Sequence, residues 1–219
     1  MNILAAADLH GAHATYAWLA EVALERRPAA VVLAGDLLSG RGELATIEES
    51  QEADARKTLA LLAKVPCPVL YIMGNDDMVE LPSGFKDRIP LHGRRHELGR
   101  FNFVGYQYSL PFMAGRFEKP EEGIAADLRE LAPLVDASTV LVTHSPAFGI
   151  LDLGLLDRNA GSRSILALIE ARRPRAHIHG HIHQQVGRSG SHFNVGTAGR
   201  RRALLLDLVT LEDEVIEVG

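Results

Sequence analysis

The sequence predicts an α/β fold, and three observations carry that prediction. Short apolar runs alternate with amphipathic stretches through most of the 219 residues, the pattern of βαβ units. Five of those runs end in residues that ligate metals, and open α/β sheets gather their ligand residues outside the carboxyl ends of their strands. From Gln184 onward the helix signals stop and short strands follow, with turns near Ser189-Gly190 and Glu212-Asp213; these strands are expected to form much of a second sheet. The length fits one domain over 1–219, because α/β domains run to about 200–250 residues.

The elements follow in order. An apolar run over 3–7 leads into Asp8-Leu9-His10, and a helix is expected over 15–27, where Tyr16, Trp18, Leu19, Val22, Ala23 and Leu24 lie close to helical spacing and Pro28 ends it. The run over 30–34 leads into Gly35-Asp36. A helix over 43–64 should dock Leu59, Leu62 and Ala63 on the sheet and leave its charged middle, 48–56, in solvent. The run over 69–73 leads into Gly74-Asn75. A segment with few helix signals then carries Tyr106, Tyr108, Phe112 and Phe117, expected to wall a substrate cleft or cover a sheet edge. A weaker helix is expected over 127–134. The run over 140–142 leads into Thr143-His144, a helix over 164–172 starts after a serine cap at Ser162, and the run over 176–178 leads into His179-Gly180-His181-Ile182-His183.

Composition sets bounds. A hydrophobic fraction of 47% allows a substantial core, and the net charge of −5 argues against a broad nucleic-acid surface. The N-terminus has no basic stretch leading into a long apolar segment, and no run approaches the roughly 20 apolar residues of a membrane span. The expected location is cytoplasmic, with no membrane partner. Cys67 is the only cysteine, so no internal disulfide can form, which fits a reducing compartment.

The chemistry rests on donor type and spacing. Asp8 and His10 lie two residues apart, so at an extended strand end both side chains should point the same way, and His181 and His183 repeat the spacing. Carboxylate, imidazole and the amide oxygen of Asn75 make an oxygen and nitrogen set without thiolates, suited to manganese, iron or zinc. Asp8, His10, Asp36, Asn75, His144, His181 and His183 are too many ligands for one small cation. They suit two divalent ions about 3.5–4 Å apart, bridged by one carboxylate, and Asp36 is the natural bridge as the lone carboxylate at the second strand end. Any one fragment occurs by chance in many chains; the ordered set does not.

That set resembles the calcineurin-like metallophosphoesterase family through Asp8-Leu9-His10, Gly35-Asp36, Gly74-Asn75-Asp76-Asp77, Thr143-His144 and Gly180-His181-Ile182-His183, with Asn194-Val195-Gly196-Thr197 similar to a later family turn. The resemblance implies a four-layer α/β/β/α sandwich with two mixed sheets and a dinuclear centre, with manganese the first choice and iron or zinc the alternatives. It implies that Asp8, His10, Asp36 and His183 hold one metal, and Asp36, Asn75, His144 and His181 the other. The implied activity is hydrolysis of a small phosphoester, a diester before a monoester, by a hydroxide bridging the metals. One position departs from the family: Asp76 stands where many members carry the histidine that protonates the leaving oxygen. An unperturbed aspartate titrates near 3.9, so Asp76 would act as an acid only with a strongly raised pKa, and its presence favours substrates with good leaving groups. The rival reading is a scaffold or interaction module that keeps the fold and has lost catalysis. His13 and Arg200 are candidate substrate contacts, while His177 and His179 are expected to pack within their strand, and His92, His96 and His192 to lie on the surface or in loops.

Overall fold

The computed structural model describes residues 1–40, 46–154 and 157–218. The predicted α/β/β/α stack is present, with two six-stranded mixed sheets face to face and a pair of helices outside each.

The first half builds the first sheet. Strands β1 (Asn2–Ala6), β2 (Ala30–Ala34), β3 (Val69–Ile72) and β4 (Arg88–Pro90) run parallel. Helices α1 (His13–Arg26) and α2 (Ile47–Leu62) cross between them. Strands β1 to β3 are apolar on both faces, as a covered parallel sheet requires. Leu4, Ala6, Val31, Leu33 and Val69 meet Tyr16, Leu19, Ala23, Leu59 and Leu62 of the helices. The alternate residues Ile3, Ala5, Val32, Ala34, Leu70 and Ile72 turn inward to the second sheet.

The second sheet is ordered β5 (Arg95–Leu98), β6 (Phe101–Tyr106), β7 (Thr139–Thr143), β8 (Ala176–His179), β10 (His192–Asn194) and β9 (Gly187–Ser189). Its inner face supplies Phe103, Val140, Val142, Ile178 and Phe193 to the core between the sheets. Its outer face sets Val104, Tyr106 and Leu141 against α3 (Glu121–Leu131) and α4 (Arg163–Arg172). The serine cap of α4 is present: Ser162 Oγ accepts from the backbone N–H of Ser164 and Ile165.

Four expectations are corrected. The last strands, β11 (Arg201–Asp207) and β12 (Asp213–Val218), return to the first sheet, with β11 antiparallel to β1. Only the short β9 and β10 join the second, because the apolar side chains of β11, Leu204 and Leu206, fill the core beside Ile3. The second sheet is built chiefly from β5 to β8, and β4 to β6 went unread because the buried polar Asn102 and the glycine at 105 interrupt the apolar run of β6. Helix α3 starts six residues before the expected 127, after Pro120, with Glu121 and Glu122 favourably placed in its first turn.

The middle of α2 is also not all in solvent. Gln51, Asp54, Ala55 and Thr58 are buried, a stripe at helical spacing hidden among charged neighbours. Residues 43–45 of the expected helix lie outside the described residues, and the described helix is capped by Thr46, whose hydroxyl accepts from Glu49 N. Among the described residues no helix is long and apolar enough to cross a membrane.

Candidate metal centre

The expected ligands converge where the carboxyl ends of β1, β2, β3, β7 and β8 meet at one edge of the two sheets. Asp8 and His10 follow β1, Asp36 follows β2, Asn75 follows β3, His144 follows β7, and His181 and His183 follow β8. Donor atoms of Asp8, His10 and His183 all lie within 4.8 Å of one another, and the same holds for Asp8, Asp36 and His144 and for His10, Asp36 and Asp76. Asn75 joins through its Oδ1, 2.9 Å from His144 Nε2. The His181 ring lies 5.0 Å from that of His144, centroid to centroid.

The local geometry differs from the expected strand alternation. Asp8, His10, Asp36 and His181 have left-handed φ values of 56°, 44°, 51° and 71°, and β1 and β8 have ended before their ligands begin. Paired ligands are therefore brought together by tight turns and not by the two-residue repeat of a strand. Left-handed backbone at a non-glycine residue costs on the order of 1–3 kcal/mol and persists only where the surroundings enforce it. Here they do: Asp8 N donates to Gly35 O, His10 N to Asp36 O, and Thr197 Oγ1 to Asp8 O.

Two glycines give the carboxylates room. A Cβ at Gly74 would fall 2.2 Å from Asp36 Oδ1, and one at Gly180 would fall 2.8 Å from Asp8 Oδ1. Neither position tolerates a side chain without moving a carboxylate.

Further contacts orient the donors. His144 Nδ1 donates to the Ala34 carbonyl at 3.0 Å, so Nε2 is turned toward Asp36 and Asn75, where a cation could take the place of its proton. Asn75 Nδ2 donates to Asp76 Oδ1 at 3.1 Å, leaving Asn75 Oδ1 aimed inward. His181 N donates to both oxygens of Asp8, and Asp76 N donates to Asp36 Oδ1 at 2.9 Å.

The electrostatics is that of a negative, desolvated pocket. Burial would depress the His144 imidazolium, but Asp36 and then Asp8 hold its pKa up at about 10. Burial raises Asp8 to about 6 against the pull of His144. Asp36 also loses solvent on burial, yet the charges of His144 and His10 hold it below the usual carboxylate range. Burial and the nearby His144 charge push His181 down to about 3. Protons here offset carboxylate charge in the way bound cations would, and metal binding displaces such protons. Donor chemistry, close approach and orientation together fit divalent cations.

Asp76 and Asp77 part company. Asp77 is fully buried and accepts from the backbone N–H of Leu37, Leu38 and Gly74, tying the turn after β2 to the turn after β3. Burial and the Asp36 charge raise its pKa to about 7. Asp76 is half-buried with Oδ2 3.3 Å from His10 Nδ1, and burial, then the Asp36 charge, raises its pKa.

Gln51 and Asp54, which the sequence reading left in solvent, brace these turns from α2. Gln51 Nε2 donates to Asp76 O and Ser39 O while its Oε1 accepts from Met78 N. Asp54 Oδ2 accepts from Ser39 N at 2.9 Å, and its Oδ1 lies 2.7 Å from His13 Nε2. The signal available was their helical spacing with Ala55 and Thr58.

His13 is thus paired across the two helices, and Arg200 pairs with Glu217 of β12 at 2.7 Å; neither joins the donor groups. His177 and His179 are buried within β8. His192 departs from the surface or loop reading, since it sits in β10 with Nδ1 3.2 Å from His177 Nδ1, whereas His92 lies in the loop between β4 and β5, against Tyr106 and Tyr108. The aromatic stretch divides, with Tyr106 and Phe117 in the core and Phe112 exposed beside His181.

Comparison with known proteins agrees with this geometry. The family model described as calcineurin-like phosphoesterase matches residues 1–185. No curated protein matches the chain. Among solved structures, the chain is similar to TT1561 of Thermus thermophilus, at 17% identity and a TM-score of 0.76, over 100% of this chain and 99% of that one. It is similar to a dimetal phosphatase from Danio rerio at 12% identity and a TM-score of 0.66, again over 100% and 99%. A likeness to an archaeal phosphodiesterase has 13% identity and a TM-score of 0.50 over the full length of both chains. At these identities the likenesses establish the fold.

Proposed function

The chain belongs to the calcineurin-like phosphoesterase family, and from that premise we propose that it is a dinuclear metal-dependent phosphoesterase acting on small phosphodiesters. One observation supports this most directly: Asp8 and Asp36 are each shared between overlapping groups of donor atoms, which suits two cations side by side better than one. Asp8, His10, Asp36 and His183 would hold one, and Asp36, Asn75, His144 and His181 the other, with manganese the first choice and iron or zinc the alternatives. Two bound cations would supply Lewis acidity, lowering the pKa of water and neutralising charge on the phosphoryl oxygens.

The chain's own residues do the rest. Asp36 places a carboxylate oxygen toward each group, with Oδ2 3.9 Å from His10 Nε2 and Oδ1 3.3 Å from His144 Nε2. His183 is the most open of the histidines near the cluster, with its side chain 45% exposed, so it stands where substrate enters and can donate to a phosphoryl oxygen. Asp76 acts by position. Its carboxylate faces His10 Nδ1, holds the proton there, and leaves His10 Nε2 free to ligate, the arrangement by which carboxylates orient metal-bound histidines. With Asp76 so engaged, none of the described residues of the cluster takes the place of the missing histidine as proton donor. That favours esters whose leaving group departs without help, and diesters over monoesters.

The experiment is hydrolysis of bis(p-nitrophenyl) phosphate and p-nitrophenyl phosphate by chelator-stripped protein, with manganese, iron, zinc or magnesium restored. Turnover is expected to return with metal and to favour the diester. Asp36→Asn should lower kcat/KM by roughly a thousandfold, about 4 kcal/mol of transition-state stabilisation. Near-normal turnover in that variant would remove the bridge assignment, and metal binding without turnover of either ester would move the chain to the scaffold reading.

A further inference from the structure

Beside the metal ligands lies a pocket of about 320 Å³ that the donor groups do not use. His181 and His183 form one wall, so the pocket opens directly off the candidate metal centre. Phe112, from the loop between β6 and α3, forms another, and Arg158 and Asn159, from the connection between β7 and α4, form the third.

Phe112 is held open. Its side chain is 65% exposed, and its ring meets His181 edge-on at 88°, with centroids 6.5 Å apart. A large apolar side chain in solvent is held there by its backbone: the Glu118 carboxylate accepts from the N–H of both Phe112 and Met113 at 2.9 Å. The same loop rests on the ligand turn, since a Cβ at Gly115 would fall 2.4 Å from the Asn75 carbonyl oxygen. The loop that carries the ring is therefore held relative to the candidate metal ligands, which lowers the ordering cost of binding against it.

The opposite wall is built to a similar standard. Asp152 is buried and accepts from Gly149 N, Gly161 N and Asn159 Nδ2, fixing the connection that carries Arg158. Among the described residues no carboxylate pairs with the exposed Arg158 guanidinium.

These walls select by chemistry. An open phenyl face is a stacking platform for a flat ring, and a guanidinium stacks on such rings or donates to their acceptor atoms. An acyl chain is a poor match because it would desolvate Arg158 without a partner. The volume is at the small end for ligand pockets and suits one ring system with its sugar. Building on the phosphoesterase reading, we propose that this pocket binds the nucleobase of a nucleotide-type phosphoester whose phosphate sits at the metal centre.

The test is calorimetric binding of AMP, ribose 5-phosphate and inorganic phosphate to the manganese-loaded full chain. AMP is expected to bind about tenfold more tightly than ribose 5-phosphate, the scale of one base stacked on an aromatic side chain. Phe112→Ala should bring that ratio close to one, and Arg158→Gln should reduce it; because both side chains are exposed, neither change removes core contacts. Equal affinities in the unaltered chain, or a preference that survives Phe112→Ala, would overturn the proposal while leaving the metal centre standing. Failure of inorganic phosphate to bind the metal-loaded chain would overturn the metal-centre reading and this proposal with it.

Discussion

The proposed role of Asp76 is that of a residue that keeps a place in the motif and positions a neighbour. The turn after β3 still delivers it to the cluster, through its backbone bond to Asp36 and the Gln51 amide on its carbonyl. Its carboxylate then meets His10 at 3.3 Å. If it positions His10, Asp76→Asn should weaken metal binding by about 10–100-fold, the usual scale for loss of a partner behind a ligand, while turnover at saturating metal is largely kept. Isothermal titration of metal alongside kcat at saturating metal separates the cases: a proton donor would instead lose kcat with metal affinity unchanged. The candidate donors and Asp76 were legible in the sequence, since donor chemistry belongs to the residue. The contact with His10 was not, because it spans two strand ends far apart in the chain.

Among the elements, β8 carries the sharpest local conflict, with two histidines inside a buried strand. His177 resolves it through a fixed chain of bonds. Thr143 Oγ1 donates to Ser145 O at 2.5 Å and so accepts from His177 Nε2 at 2.7 Å, which leaves His177 Nδ1 to accept from His192 Nδ1 at 3.2 Å. Burial, then the neighbouring His179 and His192, depresses the His177 pKa well below 6.5. The folded state then binds fewer protons than the unfolded state at acid pH, so this residue's contribution is full above about pH 6.5 and is lost as pH falls toward the folded pKa.

Asp77 and other groups titrate in the same range, so the comparison must be between variants. His177→Gln should be less stable by about 1–2 kcal/mol at pH 8. The gap should narrow by about 1.4 kcal/mol for each pH unit below 6.5. Urea unfolding of the metal-free forms at pH 8, 6.5 and 5.5 checks this, and a gap that stays constant would mean that His177 does not titrate as argued. The expectation that His177 packs within its strand rested on its position before Gly180. Its partner His192 could not be read from the sequence, because β10 reaches β8 only by parallel pairing in the folded sheet.

At the scale of the whole molecule, two sheets meet at the cluster, with Asp8, His10, Asp36 and Asn75 delivered by one and His144, His181 and His183 by the other. Cations bound there would cross-link the halves of the fold and bind the native state alone. At a free metal concentration near a hundred times Kd the gain is about 2.7 kcal/mol, which for a chain of this size raises Tm by about 5–10 °C. Calorimetry with manganese and with excess chelator checks it, and an unchanged Tm would argue against cations held between the sheets.

The amino-acid order by itself determined the α/β alternation, the donor set and the strand ends that carry it, because hydrophobic period and ligand chemistry are written locally. Only the tertiary structure decided that β11 returns beside β1, that left-handed turns and not strand alternation pair Asp8 with His10, and that Gln51 and Asp54 brace the site from a helix rich in charge. Each of these depends on which surfaces are covered by segments distant in the chain, and burial of that kind leaves no local period to read.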